Sequence, residues 1–310
     1  MSFENIIGND KIKQELEENI RNNTVSHSYL FIGQDGIGKK LFAKEFAKME
    51  LCLDDNNACD KCSSCIKFNS DNNPDFVIIK PDGNSIKISQ IRDMQDNVYK
   101  KPIVSNKKVF IIDDSDKMTE EAQNSLLKTL EEPPEYITII LITSNENKLL
   151  NTIKSRCLKI NFNNIDTKDI LEYISKRKMM ENPSNSLLTM CNGSIGKLIK
   201  INQNLEEYSE IEKNTNDLIN GKIKNIVKML NQFGILYRSK EIVTDLLDYM
   251  IVITYEYISD NKDYRKKFLN LIEIIENTKL RLMSNTNYDM CIDDLLLKIW
   301  EEINEDYSRS

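Results

Sequence analysis

The stretch Tyr29-Leu-Phe-Ile-Gly33-Gln-Asp-Gly36-Ile-Gly38-Lys39-Lys40 decides how the rest of the chain is read. It runs from an apolar, β-type segment into a glycine loop, and Leu41, Phe42, Ala43 and Phe46 then follow at helical spacing. The loop matches G-x-x-x-x-G-K-[ST] at every fixed position except the last. Strand, glycine loop and helix in that order build a phosphate cradle. The glycines let backbone N–H groups turn toward an anion, and the helix N-terminus adds positive potential. Gly33, Gly36, Gly38, Lys39 and Lys40 are therefore candidate nucleotide-binding residues, with Asp113 and Asp114 further along the chain. Lys40 stands where a hydroxyl would ligate magnesium and brings a cation to a place built for one, which argues against magnesium-dependent hydrolysis. Lys39 either holds a nucleotide's phosphates as a point charge or belongs to a loop that binds nothing.

Four more apolar runs follow: Phe76 to Ile79, Val109 to Ile112, Ile137 to Ile142 and Leu158 to Phe162. With Tyr29 to Ile32 they read as five strands buried on both faces of a parallel sheet and separated by helices, an α/β domain that closes near Phe162. The third run delivers Asp113 and Asp114 at its C-terminal edge, where parallel sheets bind ligands. Asp113 takes the place of a metal-supporting aspartate. Asp114 stands where a working ATPase carries a glutamate, and one methylene less retracts the carboxylate. The two could also cap the helix that begins near Thr119. Thr143-Ser144-Asn145, after the fourth run, either senses a phosphate or ends the strand. Beyond Asn163 the pattern is helical throughout. Asp166 is a candidate N-cap, Asn182-Pro183 a break and Asn192-Gly193 a turn, and long stripes follow, such as Ile242, Leu246, Leu247, Met250 and Ile253. Three regions result: 1–164, 165–205 and 206–310.

Composition narrows the function. With 310 residues, 40% hydrophobic and 29% charged, the chain is globular, long enough for two or three domains, and free of any apolar run that would span a bilayer. The N-terminal MSFENIIGND lacks the features of a secretory signal, so a cytoplasmic location with reduced thiols is expected. Forty-two Lys plus Arg against forty-nine Asp plus Glu leave a charge of −7, which disfavours a stand-alone DNA-binding module. His27 is the single histidine, so two-histidine mechanisms are excluded; it is expected as a partly buried residue at a strand edge.

Cys52, Cys59, Cys62 and Cys65 have the spacing C-x6-C-x2-C-x2-C between the loop helix and the second strand. In a reduced compartment such pairs favour metal over disulfide. The expectation is a structural zinc held by four thiolates within residues 52–65, with no open position for catalysis; an iron–sulfur cluster is the alternative. Cys157, Cys191 and Cys291 are scattered and read as buried thiols.

Taken together, several segments resemble the clamp-loader branch of the AAA+ family over the whole chain. They are Ile6-Ile7-Gly8, the Gly33 to Lys39 loop, the cysteine module, Ile88 to Met94, Ile112 to Met118, Leu126-Leu-Lys-Thr-Leu-Glu-Glu-Pro-Pro134, Ser155-Arg156-Cys157 and Gly193-Ser194. The Leu126 to Pro134 run is the most specific to the family, though no chemistry of its own could be read from it. The resemblance implies an ATPase-like domain at 1–164, a helical lid at 165–205 and a helical collar at 206–310. It also implies a place in an open ring of five subunits, with gamma/tau and delta subunits as partners, that loads a sliding clamp onto primer–template DNA. Arg156 would reach ATP held by a neighbouring subunit. Gly196 stands where the motor subunits carry an arginine that touches nucleotide. With Lys40 and Asp114 it implies a subunit that holds ATP or ADP, if any nucleotide, without hydrolysing it. An active motor using Lys39, Asp113 and Asp114 is the alternative; a zinc-bearing nucleic-acid adaptor is disfavoured by the acidic balance.

Overall fold

The computed structural model describes residues 3, 6–54, 58–260, 265–284 and 287–304. Residues 55–57 of the expected metal module, and 261–264, 285–286 and 305–310 of the expected collar, lie outside the described residues. By compactness the chain divides into two units, residues 1–173 with 193–197, and residues 174–192 with 198–310.

The first unit alternates helices and strands: α1 (Asp10–Arg21), β1 (Ser28–Ile32), α2 (Lys39–Leu51), α3 (Ser63–Asn69), β2 (Phe76–Ile79), α4 (Ile88–Val98), β3 (Lys108–Ile112), α5 (Glu120–Glu131), β4 (Ile137–Thr143), α6 (Asn151–Lys154) and β5 (Leu158–Asn161). The strands form one parallel sheet in the order β2-β3-β4-β1-β5. Strand side chains alternate between the faces, and the core divides accordingly. Tyr29, Phe31, Val109, Ile111, Ile140 and Ile142 pack with Leu16, Phe42 and Phe46 on one face. Leu30, Phe110, Ile112, Ile139 and Leu141 pack with Ile91, Met94, Leu126 and Leu130 on the other.

Burial on both faces holds for β1, β3 and β4 but not for the edges. In β5 only Ile160 is buried, and Leu158 is 44% exposed; in β2 only Ile79 is buried. An edge strand lacks a neighbour on one side, so an apolar run is not evidence of full burial there. The β4 connection returns the chain beside β1, and β5 then pairs on the other flank of β1. This reversal opens a crevice outside the C-terminal strand ends, the usual ligand position in such sheets. His27 is exposed rather than partly buried: it precedes β1 and takes part in the sheet through its backbone carbonyl, which accepts from Ile139 N–H at 2.9 Å.

The remaining helices are α7 (Thr167–Arg177), α8 (Asn185–Cys191), α9 (Ile195–Gln203), α10 (Leu205–Ile219), α11 (Ile226–Gln232), α12 (Ile235–Arg238), α13 (Val243–Asp260), α14 (Arg265–Leu282) and α15 (Tyr288–Asn304). In the second unit α13 packs against α8, α10 and α14, and α14 against α15. Leu246, Leu247, Met250 and Ile253 are buried as their spacing predicts, while Ile242 lies just before α13 and is half-buried. Asn192 ends α8 in the left-handed conformation with Gly193 following at φ 75°, the expected turn. Among the described residues no helix is long and apolar enough to cross a membrane.

Candidate functional site

Three groups of predicted residues come together on the first unit. The phosphate loop leaves β1 at Gly33 and enters α2 at Lys39, with Gly36 at φ 77° and Gly38 at φ 100°, conformations that a Cβ opposes. Lys39 is buried, and its Nζ donates to the carbonyls of Gly33 at 2.6 Å and Gln34 at 2.8 Å, within its own loop. Burial lowers its pKa, although Asp35, Asp114, Asp113 and Asp116 nearby pull the other way. Lys40 Nζ lies 2.6 Å from Asp113 Oδ2. An ammonium thus already neutralises the carboxylate expected to support a metal, and the hydroxyl that would complete a magnesium site is missing. These residues do not fit a magnesium ion.

Asp114 adopts the left-handed conformation, φ 50° and ψ 49°, and its Oδ2 meets Lys117 Nζ at 2.8 Å. Neither Asp113 nor Asp114 caps α5; Thr119 does, accepting from Ala122 N–H at 3.3 Å. The hydroxyl of Thr143 donates to Asp116 Oδ1 and accepts from Asn145 N–H, both at 2.9 Å, and Asn145 Oδ1 accepts from Asn147 N–H at 3.1 Å. Thr143 and Asn145 therefore close the end of β4. The Asp116–Thr143 link carries no sequence signal, since it joins the end of β4 to the segment after β3.

Residues 193–197 close over the loop. The buried Ser194 donates its hydroxyl to the Asp35 carbonyl at 2.9 Å, and Gly196 N–H donates to the Gly36 carbonyl at 2.8 Å. A Cβ on Gly196 would come 2.7 Å from Gly36 Cα, so no side chain, arginine included, fits there without backbone movement. Gly196→Ala should therefore lower stability by roughly 1–3 kcal/mol, read as a drop in the urea midpoint; an unchanged midpoint would mean that the two backbones can part at no cost.

Arg156 follows α6 and precedes β5. Its Nη2 donates to Glu131 Oε1 at 2.6 Å, its Nη1 donates to the Thr152 carbonyl at 2.9 Å, and its own carbonyl accepts from Ser28 Oγ at 2.6 Å. Ser28 begins β1 and the phosphate loop follows the end of β1. At ~3.3 Å per residue, the five steps from Ser28 to Gly33 separate the two by about 16 Å. Arg156 and its own loop thus occupy opposite ends of one strand. Cys157 beside it is buried, which pushes its thiol up to about 11.

The four clustered cysteines converge, with their Sγ atoms all within 4.8 Å of one another. Tetrahedral thiolates at ~2.3 Å from a zinc lie about 3.8 Å apart, so this spacing suits a single ion better than a multi-iron cluster. Cys52 follows α2, Cys62 caps α3, and Cys65 is in its first turn. Backbone N–H groups of Cys59, Cys62 and Cys65 point at the sulfurs of Cys52, Cys59 and Cys62 at 3.5, 3.3 and 3.4 Å. Burial raises the Cys62 thiol, but hydrogen bonds to its sulfur, from the Cys65 and Leu53 backbone foremost, bring it down to about 6, while burial foremost pushes the Cys65 thiol up. The group can hold a metal ion and fits a zinc module.

Comparison with known proteins agrees with this geometry. The family model described as DNA polymerase III, delta subunit, matches residues 8–166. DNA polymerase III subunit delta' of Bacillus subtilis is 35% identical over 201 residues, 64% of this chain and 60% of that one. DNA polymerase III subunit tau/gamma of Haemophilus influenzae is 34% identical over 183 residues, 58% of this chain and 26% of its own length. The chain thus spans less than two thirds of either relative. A gamma subunit-related protein of Thermotoga maritima superposes with a TM-score of 0.52 at 19% identity, covering 93% of this chain and 99% of that one, a likeness of fold. A family match across the sheet, the phosphate loop, the cysteine module and Arg156 means that this chain belongs to the clamp-loader family of DNA polymerase III.

Proposed function

We propose that the chain is the delta' subunit of a bacterial, cytoplasmic clamp loader, a scaffold that activates ATP hydrolysis on a neighbour and performs none itself. Its partners are gamma/tau and delta subunits in a hetero-pentamer, with the sliding clamp and primer–template DNA engaged through the assembled ring. The observation that carries this reading is the anchoring of Arg156 at the opposite end of β1 from the chain's own loop, about 16 Å along the strand, which supports a role toward a phosphate held by another molecule. The Lys40–Asp113 pair supports the second half, because it leaves no place for magnesium. Gly33, Gly36, Gly38 and Lys39 would contact the phosphates of any ATP or ADP held without turnover. Cys52, Cys59, Cys62 and Cys65 would hold a structural zinc, which supplies a cross-link and no chemistry. In the same reading residues 1–164 are the ATPase-like domain, 165–205 the lid and 206–310 the collar.

The test is ATP turnover. The purified chain alone should release phosphate at the background rate with magnesium present, while its addition to gamma/tau and delta subunits should form a complex on gel filtration and raise turnover in the presence of clamp and primed DNA. Brisk hydrolysis by the chain alone would favour the motor reading instead.

A further inference from the structure

We infer that Glu131 is the positioning residue for Arg156, holding its guanidinium in the direction in which it acts; this rests on Arg156 acting across a subunit boundary, as proposed above. The Leu126 to Pro134 stretch thereby acquires a chemical role. Leu126 and Leu130 are buried in the core and fix the last turn of α5, and Pro133-Pro134 prevents the helix from continuing. Glu131, the final helical residue, is thus presented at a rigid point, with its Oε1 2.6 Å from Arg156 Nη2. A carboxylate at a helix C-terminus opposes the helix dipole, so its position there does not serve α5 itself. A guanidinium at that terminus offsets both the carboxylate and the dipole.

Arg156 is anchored from its other side as well. Its backbone carbonyl is held by the buried Ser28, and its Nη1 by the Thr152 carbonyl. An arginine side chain has rotamer entropy to lose when it is fixed on a ligand. Two anchors on Nη1 and Nη2 remove much of that freedom in advance. Glu131 engages one Nη2 proton, and the Thr152 carbonyl and Ser155 Oγ at 3.5 Å take those of Nη1, so Nε–H and the second Nη2 proton are left over for a phosphate. This geometry describes a held donor, not one sequestered by its carboxylate partner.

The experiment uses the reconstituted loader with clamp and primed DNA, comparing wild type, Glu131→Ala, Glu131→Gln, Arg156→Ala and the double variant Glu131→Ala/Arg156→Ala. Circular dichroism and metal content confirm that each variant is folded. An exposed ion pair is a modest contributor, so Glu131→Ala should lower kcat about two- to fivefold. The KM for ATP should stay unchanged, because the contact acts on a developing charge and not on ground-state binding. Glu131→Gln, which keeps the acceptor oxygen and loses the charge, should lie between Ala and wild type. The double variant should be no slower than Arg156→Ala alone, since Glu131 acts only through that arginine. Wild-type turnover in Glu131→Ala, a rise in turnover, or additive losses in the double variant would each overturn the positioning role while leaving Arg156 in place. A silent Arg156→Ala would instead overturn the trans-acting reading on which it rests.

Discussion

Arg156→Ala should depress DNA-stimulated ATP turnover by the assembled loader by about tenfold or more while the ring stays intact on gel filtration. The size follows from the work that a bidentate cation does as charge builds on transferring phosphoryl oxygens, ~10³-fold or more where one arginine serves one site. Under the proposed trans-acting role, a ring with several ATP sites loses only one interface's contribution, so the observed factor is smaller. The ring survives because the change is confined to a partly exposed side chain. The Ser28 hydroxyl bonds the backbone carbonyl of residue 156, and Ile153 and Cys157 keep the segment in the core. Arg156→Lys should recover little, since a point charge cannot reproduce the planar fork that divides its protons between an internal anchor and a phosphate. Turnover within twofold of wild type in Arg156→Ala would remove the basis for a trans-acting role.

Removal of the metal should have the largest effect on stability. The chain as isolated is expected to carry one zinc, measured by elemental analysis, and to be colourless; iron and a brown colour would point to a cluster. Cys65→Ser or a strong chelator should abolish the stoichiometric metal and lower the thermal midpoint by about 5 °C, corresponding to roughly 3–4 kcal/mol. This is less than in an isolated zinc finger because the module is not the whole fold. Lys48 pairs with Asp60, Ser64 Oγ meets Ser105 Oγ at 2.8 Å, and the Phe68 ring stacks 4.4 Å from Phe76 of β2. Those contacts lead the damage from the cysteines into α3 and the β2 edge. Hydrogen exchange should therefore accelerate there first, with β1, β3 and β4 protected longest. Unchanged exchange in α3 after the metal is lost would show that the cysteines carry no structural burden.

Much of the first unit could be read directly from residue order. The apolar runs located all five strands within a residue or two at each end, since a segment flanked by turns and buried in a sheet has little choice of side chain. The cysteine spacing located the metal group for a similar reason: ligands so near in sequence can close around one ion whatever the surrounding fold. Cys157, Cys191 and Cys291 are buried, as their isolation suggested. The same apolar runs could not distinguish the centre of the sheet from its edges. Leu158 and Lys159 lie exposed on β5, and Phe76 to Ile78 are only half-covered on β2, because strand order depends on connections and not on strand composition.

The sequence by itself determined the kinds of chemistry available: a phosphate loop with a lysine in place of a hydroxyl, carboxylates at a strand end, four thiols and an arginine before the last strand. Only the tertiary structure decided how those groups are used. It paired Lys40 with Asp113, brought Gly196 against Gly36 across 160 residues, and set Arg156 against Glu131 at the end of the sheet remote from the loop. The physical reason is range. Local sequence specifies backbone conformation and side-chain type over a few residues, whereas an ion pair or a backbone hydrogen bond between distant segments exists only once strand order has brought them within about 3 Å of each other.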